Sequence, residues 1–353
     1  MTSELPWLLT ADELKRAALD ASDSRAFRVD VLRRLSTVVH FDWYVWTLTD
    51  PVTGVGIDPF AKIPDRRDAA RAIRLKYLTV TNRWTELVVA ASLGERAPES
   101  LLWTELQQQA GVADVASLVL REHGNCWGFL DLWSVRMYEP SEVAILRALA
   151  PGLAQAVRLV RARSFERPSA PPAAHGPSVM LVDDALSVVG QTAESDPWLR
   201  MLLPTPEQFS PIPAAVYNVA AQLLAREAGV DDSEPVARMP ASDGSWVRVS
   251  AARVEPSHSI VVTIEAATLD ERLDLFARAH GLSSRERDVV DALSRGAATA
   301  EIASRLFVAP YTVQDHLKSV FEKTGVRSRR ALLARATGAG GGATAAERPG
   351  RGT

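Results

Sequence analysis

Cysteine is almost absent from this chain of 353 residues, and so are the motifs of several enzyme classes. Cys126 is the single cysteine, which excludes an internal disulfide or a cysteine-rich zinc site and fits a reducing cytoplasm. The six histidines are scattered and show no paired metal-ligand spacing. The sequence contains no phosphate-binding P-loop, zinc-protease motif or serine-hydrolase elbow. We therefore expect no enzyme activity, no catalytic residue, no metal and no cofactor.

Long hydrophobic runs and a basic amino-terminal stretch are missing as well. No run approaches the ~18 apolar residues that a membrane-spanning helix needs. The first residues lack the basic stretch and apolar block of a secretory signal. A hydrophobic content of 47% with 24% charged residues is typical of soluble globular domains. These features predict a cytoplasmic protein of two or three domains that does not interact with a membrane.

Proline and glycine divide the chain into blocks. Residues 164–177 contain four prolines and are predicted to form a linker, because proline lacks an N–H and fixes φ. Residues 338–353 are mostly small and are predicted to be a disordered tail. The predicted domains are therefore 1–163, 178–268 and 270–337.

The first block mixes helices and strands. Thr10 begins a helix with a capping pattern, and residues 41–51 form a strand that is apolar on both faces. A turn at residues 123–125 joins two further strands, and a long helix at 140–163 ends the block. This order resembles a GAF domain, which implies an α+β fold that dimerises or senses a ligand.

Seven of the nine tryptophans lie in this first block. Aromatic side chains dominate protein cores, so packing alone explains them. The resemblance to GAF domains implies a second use, in which one face of the sheet holds a small molecule. On that interpretation the candidate ligand-binding residues are Tyr44, Trp46, Trp103 and Trp127.

The second block has short strands, a helix at 214–227 and well-alternating strands near its end. This order resembles a PAS domain, which implies an α+β fold whose antiparallel sheet holds a ligand or a partner domain.

The start of the second block also has the acidic pair that opens the receiver domains of response regulators, here Asp183 and Asp184. A receiver needs a downstream lysine to contact the phosphoryl group, yet none of the five lysines lies between positions 76 and 318. We therefore reject phosphorylation of Asp231 or Asp232, and interpret Asp183 and Asp184 as turn or strand-end residues.

Charge is distributed unevenly along the chain. The net charge is −3, but residues 282–335 contain ten Lys or Arg and six Asp or Glu, a net of +4. The remainder therefore has a net charge of −7. A short basic module on an acidic body indicates that this end of the chain meets a polyanion.

The basic module has the pattern of a helix-turn-helix. Ser283 caps a first helix that ends at Gly296, and helices at 299–306 and 310–324 flank a three-residue turn. A fourth short helix begins at Ser328. The third helix is two-faced, with an apolar side formed by Val313, Leu317, Val320 and Phe321. Its polar side is formed by Tyr311, Gln314, Asp315, Lys318 and Glu322.

The strings LSSRERDVV, EIASRL, TVQDHL and KTGV-RSR of this module resemble the LuxR/FixJ-type DNA-binding domain. The resemblance covers about fifty-five residues. It implies an all-α four-helix domain, whose third helix enters the major groove of double-stranded DNA and whose last helix forms a homodimer interface. The basic residues near it can neutralise phosphates. The DNA-binding residues are then predicted to be Thr312, Gln314, Asp315, Lys318, Arg327 and Arg329.

Two departures from the family pattern concern the third helix. Ala309 stands where the family places a serine cap, which costs the helix end about 1 kcal/mol. Gln314 stands where the family often has a basic residue. Gln314 is suited to a bidentate contact with adenine and Asp315 to the amino group of cytosine, whereas Asp315 repels phosphate.

The predicted function is that of a dimeric transcriptional regulator, with a small-molecule effector and RNA polymerase as further candidate partners. Acyl-homoserine-lactone regulators share the DNA-binding end, and Trp43, Tyr44 and Asp50 are similar to residues of their pocket. The extra block between sensor and DNA reader is unlike them. A protein-interaction scaffold that senses no ligand and has a DNA-binding end also remains an alternative. A sigma factor would need a basic, aromatic helix that melts promoter DNA, whereas the first block is acidic.

Overall fold

The computed structural model describes residues 10–167, 176–203, 212–256 and 259–338. Within these ranges, two antiparallel sheet domains precede a group of C-terminal helices. Most of the predicted linker and the predicted tail beyond residue 338 lie outside the described residues. The first linker residues, Ser164–Glu166, form a 3-10 turn in which Phe165 is buried.

The first domain contains one five-stranded antiparallel sheet with the strand order β2-β1-β5-β4-β3. Its strands are β1 (Trp43–Thr49), β2 (Gly56–Lys62), β3 (Ala90–Ser92), β4 (Asp114–Glu122) and β5 (Asn125–Ser134). Its helices are α1 (Ala11–Asp20), α2 (Ser24–Leu35), α3 (Ala69–Leu78) and α4 (Pro140–Arg163). Helix α1 begins at the predicted cap, because the Thr10 side chain accepts a hydrogen bond from the backbone N–H of Glu13.

Helix α4 is the long core helix of the first domain. Glu139 and Glu142 form a capping box at its start, and an apolar stripe that includes Leu146 and Leu153 packs on β3, β4 and α1. By length and composition, the described segment Pro140–Glu166 would also be able to cross a membrane, which the sequence pattern did not predict. Half of its most apolar window is buried in the protein, as is typical of a core helix.

The second domain contains a second five-stranded antiparallel sheet with the order β7-β6-β10-β9-β8. Its strands are β6 (Ser178–Val182), β7 (Val188–Gln191), β8 (Val236–Pro240), β9 (Trp246–Val254) and β10 (Ser259–Ala266). Its helices are α5 (Ser195–Leu202) and α6 (Ala214–Glu227). The two sheets have the same topology, since in each the first strand lies between the second and the fifth. The Asp183 carboxylate accepts hydrogen bonds from the backbone N–H groups of Ala185 and Ser187, so it is a turn residue.

The two sheet domains are joined by buried ion pairs. Asp50 at the end of β1 accepts hydrogen bonds from Arg238 Nε at 2.7 Å and Nη2 at 2.9 Å. Asp231 is paired with Arg83 at 2.9 Å and also accepts from the Thr85 hydroxyl. Burial raises the pKa of Asp231, but these hydrogen bonds outweigh it and lower the pKa below its usual value. Asp231 is thus a structural carboxylate.

Five helices follow the second sheet. They are α7 (Leu269–Ala279), α8 (Ser284–Ser294), α9 (Thr299–Arg305), α10 (Pro310–Thr324) and α11 (Arg329–Thr337). The last four are those that the sequence predicts. Helix α7 is additional and begins with a capping box formed by Thr268 and Glu271.

Helix α7 connects the C-terminal helices to both sheet domains. Arg158 of α4 donates to the Ala279 carbonyl at 2.8 Å, and Arg272 of α7 donates to the Ala336 carbonyl of α11 at 3.0 Å. The Phe165 ring is stacked on Trp246 of β9 at 4.5 Å and meets Phe276 of α7 edge-on at 5.3 Å. Phe165 therefore contacts both neighbouring parts of the chain.

Candidate nucleic-acid interface

Helices α9 and α10 form a helix-turn-helix in which α10 has a buried back and an exposed polar front. Val313, Leu317 and Val320 are buried against α8 and α9. Gln314 and Asp315 lie on the exposed side of the helix. The arrangement gives a rigid helix whose polar face is free to enter a major groove.

The turn before α10 is tight and strained. Phe307 has φ of +56°, in the left-handed region that a side chain with a Cβ adopts at a cost. Its ring is 95% exposed, so packing does not offset that cost. Helix α10 then begins at Ala309 without a side-chain cap, with Pro310 in its first turn, as the sequence indicates.

A buried carboxylate fixes α10 on α8. Glu286 completes the capping box of Ser283 and also accepts hydrogen bonds from Ser319 Oγ at 2.6 Å and Lys323 Nζ at 2.6 Å. Burial raises the pKa of Glu286, but the hydrogen bonds and the nearby Lys323 charge lower it to about 2. The sequence assigns Glu286 only to the cap, because its contacts with α10 depend on how the helices pack.

The predicted phosphate-binding residues near the polar face of α10 differ in exposure and in their hydrogen bonds. Lys318 and Arg327 are exposed and form no ion pair within the described ranges. Arg329 is exposed, and its guanidinium donates to the Thr299 hydroxyl of α9 at 2.6 Å. Thr312 is half-buried near the start of α10. Arg295 of the same module is paired with Asp270 at 3.1 Å and with Asp291 at 3.0 Å, so its charge is already neutralised.

Two exposed aromatic rings stand beside the polar face of α10. Tyr311 in the first turn of α10 is 72% exposed, and Phe307 precedes it in the turn. Exposed large apolar side chains are informative when they adjoin a candidate binding surface. The sequence pattern does not distinguish Phe307, because it lies in an apolar turn with Val308 and Ala309.

The four candidate ligand residues of the first domain are not brought together. A cavity of about 900 Å³ lies on the face of β1 that carries Val45 and Thr47. Tyr44 and Trp46 alternate to the opposite face of β1, and Trp46 is fully buried. Trp103 donates its indole N–H to the Val112 carbonyl at 3.0 Å.

The remaining candidate ligand-binding residues are also buried and do not line the cavity. Trp127 is buried in the hydrophobic core, away from the walls of the cavity. Both oxygens of Asp50, one of the residues similar to an acyl-homoserine-lactone pocket, accept hydrogen bonds from Arg238. In the part of the chain that the structure describes, no cluster of three or more His, Cys, Asp or Glu side chains is suited to a metal ion.

Residues 280–336 match the family model "Bacterial regulatory proteins, luxR family". This segment is therefore a LuxR-type helix-turn-helix DNA-binding domain. The chain is 42% identical over 48 residues to the spore germination protein GerE of Bacillus subtilis, which is 14% of this chain and 65% of GerE. It is 35% identical over 109 residues to the probable HTH-type transcriptional regulator GfsR of Streptomyces halstedii, which is 31% of this chain and 42% of GfsR.

The chain spans less than two thirds of the curated relatives it matches, from 6% to 65% of their length. Among solved structures, the match to a crystal structure of Escherichia coli SdiA covers 93% of this chain and 96% of SdiA, with 13% sequence identity. Its TM-score of 0.34 is too low to assign a common fold. The family match is thus confined to the C-terminal helices.

Proposed function

We propose that this chain is a sequence-specific, double-stranded-DNA-binding transcriptional regulator of the LuxR type and not an enzyme. The observation that carries the proposal is the exposed polar face of α10, held on a buried apolar back within the segment that matches the family. A helix presented in this way suits the major groove of DNA. The relative GfsR is itself named a probable HTH-type transcriptional regulator, which supports the same assignment.

The predicted DNA-contacting residues have two kinds of role in this proposal. Gln314 reads an adenine edge and Asp315 accepts from a cytosine amino group, so both contribute specificity. Lys318, Arg327 and Arg329 contact phosphates and contribute affinity that depends on salt. Thr312 contacts a phosphate near the start of the helix. The tie between Arg329 and Thr299 keeps the Arg329 guanidinium beside the helix-turn-helix.

The protein acts as a homodimer in this proposal. A two-fold dimer places two copies of α10 about one helical turn of DNA apart, on a palindromic site. Helix α11 buries Leu332 and Ala336 against its own domain and leaves Ala331 exposed. The outer face of α11 is therefore the proposed dimer interface.

The two sheet domains supply regulation in this proposal. Residues 1–163 form a GAF-like domain and residues 178–268 a PAS-like domain, and their common strand order supports treating both as sensor modules. Their proposed input is a small molecule or a partner such as RNA polymerase. The cytoplasm is the proposed location, since the DNA and the polymerase are there.

The test uses the full-length protein and a DNA site selected from random duplexes by rounds of binding. Lys318→Ala is expected to weaken binding to all duplexes and to reduce the slope of log affinity against log salt by about 0.9. Gln314→Ala is expected to lose about 1–3 kcal/mol at a single base pair and to leave other positions unchanged. Arg285→Ala, on the exposed side of α8, is the matched control for charge removal.

The outcomes separate the proposal from its details. If the wild-type protein selects no duplex at modest salt, the regulator function is rejected. If Gln314→Ala weakens binding to every sequence equally, base readout by Gln314 is rejected while DNA binding stands.

A further inference from the structure

The cavity of about 900 Å³ lies where the two sheet domains meet. Its floor is the face of the first sheet that carries Phe129, Asp131 and Trp133 on β5. Helices α2 and α3 form its sides, and the end of α4 and the start of α6 complete its walls. Cavities of this size at domain junctions are characteristic of small-molecule sites.

Two of the buried cations that line the cavity are neutralised by carboxylates. Arg28 is paired with Asp58 at 2.7 Å. Lys76 is paired with the buried carboxylate of Asp131 at 2.7 Å, and the same carboxylate accepts from the Ser117 hydroxyl. These two pairs add no net charge to the site.

Arg161 is a third buried cation on the cavity wall, and it forms no ion pair with a described carboxylate, although the charges of Asp58 and Asp50 are near enough to raise its pKa. It lies near the end of α4 and is 6% exposed. Within the described part of the chain its guanidinium has no hydrogen-bond acceptor and no ion pair, and it is stacked over the Trp246 ring at 5.4 Å. Burial lowers the pKa of Arg161 to about 10, which keeps it charged at neutral pH. A buried charge without a partner is costly, so this residue is suited to an anion.

The other unsatisfied groups on the wall are also donors. The Asn218 Nδ2 and Trp133 Nε1 atoms are buried and have no acceptor among the described residues. Buried polar groups are normally hydrogen-bonded, so each missing acceptor needs an explanation. Helix α6 also begins on the cavity wall, directly after Pro213, and no side chain of the described residues caps it. Its positive dipole end favours an anion in the same space.

We propose that this cavity binds an organic acid: a small molecule with an anionic, acceptor-rich head and an apolar body. The head group is held by Arg161 with the start of α6 and Asn218, and the body lies on Val45, Phe129 and Tyr217. A buried positive charge without an ion pair, beside buried donors that lack acceptors, suits an anionic group and does not suit a cationic or donor-rich ligand. The inference deepens the sensing part of the proposed function.

The test compares two fluorescent probes that share an aromatic skeleton and differ in charge. Anilinonaphthalene sulfonate is anionic, whereas N-phenylnaphthylamine is neutral, and both fluoresce when they enter an apolar site. The full-length protein is expected to bind the sulfonate at a single saturable site. Arg161→Met is expected to weaken sulfonate binding about tenfold or more, because charged hydrogen bonds are lost. Binding of the neutral probe is expected to change less than twofold.

Two further variants keep the test decisive. Arg161→Lys retains the charge and is expected to restore part of the sulfonate affinity. Arg96→Met removes an exposed arginine of the same domain and is expected to change neither probe. If the Arg161→Met variant still binds the neutral probe, its fold around the cavity is intact. If both probes respond equally to Arg161→Met, or the sulfonate does not respond, the inference is overturned.

The DNA assay described above separates this inference from the proposed function. If the chain selects a duplex but the sulfonate ignores Arg161, only the organic-acid site is rejected. If no duplex is selected but the sulfonate depends on Arg161, the site stands and the regulator function is rejected.

Discussion

We expect the buried histidine His280 to make the stability of the protein sensitive to acid. It follows α7, is buried, and its ring lies 4.4 Å from Phe276 and 6.2 Å from Phe165. Its Nε2 atom has no partner among the described residues. Burial lowers the pKa of His280 to about 4; a hydrogen bond with the Lys323 backbone opposes this shift, and the charges of Arg335 and Arg158 add to it. The folded protein therefore keeps His280 neutral.

The size of the effect follows from that pKa. In the unfolded chain the histidine has a pKa of 6.5, about 2.5 units higher than in the fold. Between pH 6.5 and 4 the unfolded chain takes up a proton that the folded chain does not, so the free energy of unfolding falls as pH falls. At about 1.4 kcal/mol per unit, the loss is about 2 kcal/mol at pH 5 and about 3 kcal/mol below pH 4.

The assay compares urea unfolding of the wild type and His280→Gln from pH 7.5 to 4.5. Other groups titrate in both proteins, so the difference between the two isolates His280. The wild type is expected to lose about 2 kcal/mol relative to the variant by about pH 5. His123→Gln, at an exposed histidine, is the control and is expected to show no such trend. Parallel pH profiles for wild type and His280→Gln, or a pKa near 6.5 by NMR titration, would refute the reasoning.

Three further substitutions test the helix-turn-helix and the domain junction. Glu286→Gln weakens the ion pair with Lys323. In urea unfolding the variant is expected to be less stable than the wild type above pH 4.5, and this difference is expected to disappear as pH falls toward 2, because the wild-type carboxylate is then protonated. A difference that does not depend on pH contradicts this. Phe307→Gly relieves the left-handed strain and is expected to stabilise the protein by about 1 kcal/mol while weakening DNA binding. Unchanged DNA affinity would show that the ring does not contact DNA. Asp50→Asn leaves Arg238 buried without its carboxylate, and thermal unfolding is expected to show a decrease of about 3–5 kcal/mol in the free energy of unfolding. A decrease below about 1 kcal/mol would show that this ion pair does not hold the domains together.

The helix-turn-helix could be predicted from sequence because its signals are local. The capping box at Ser283, the apolar spacing of Val313 and Leu317, and Pro310 at the start of α10 each act within a few residues. The outward direction of Gln314 and Lys318 follows from the same spacing, and the structure agrees. Whether these two side chains contact DNA stays a prediction.

The cavity and the docking helix α7 could not be predicted in this way. Alternation along β1 predicts that Tyr44 and Val45 lie on opposite faces, but it does not indicate which face borders a cavity. That depends on how α6 of the second domain packs against the first sheet, a contact between residues about 150 positions apart. Arg161 was hidden for the same reason, since within α4 it is one of several arginines near a helix end.

The wall of the cavity is connected through α7 to the DNA-binding helices. Arg161 is stacked on Trp246, Trp246 on Phe165, and Phe165 meets Phe276 of α7. Contiguity alone does not couple two sites; a ligand shifts the docking of α7 only if it binds the docked and undocked arrangements with different affinity. An anion at Arg161 meets that condition if it draws the guanidinium away from Trp246, because a cation over an aromatic ring contributes about 0.5–2 kcal/mol. A differential of that size changes the docking equilibrium by about two- to thirtyfold, which is within the range of measured allosteric couplings.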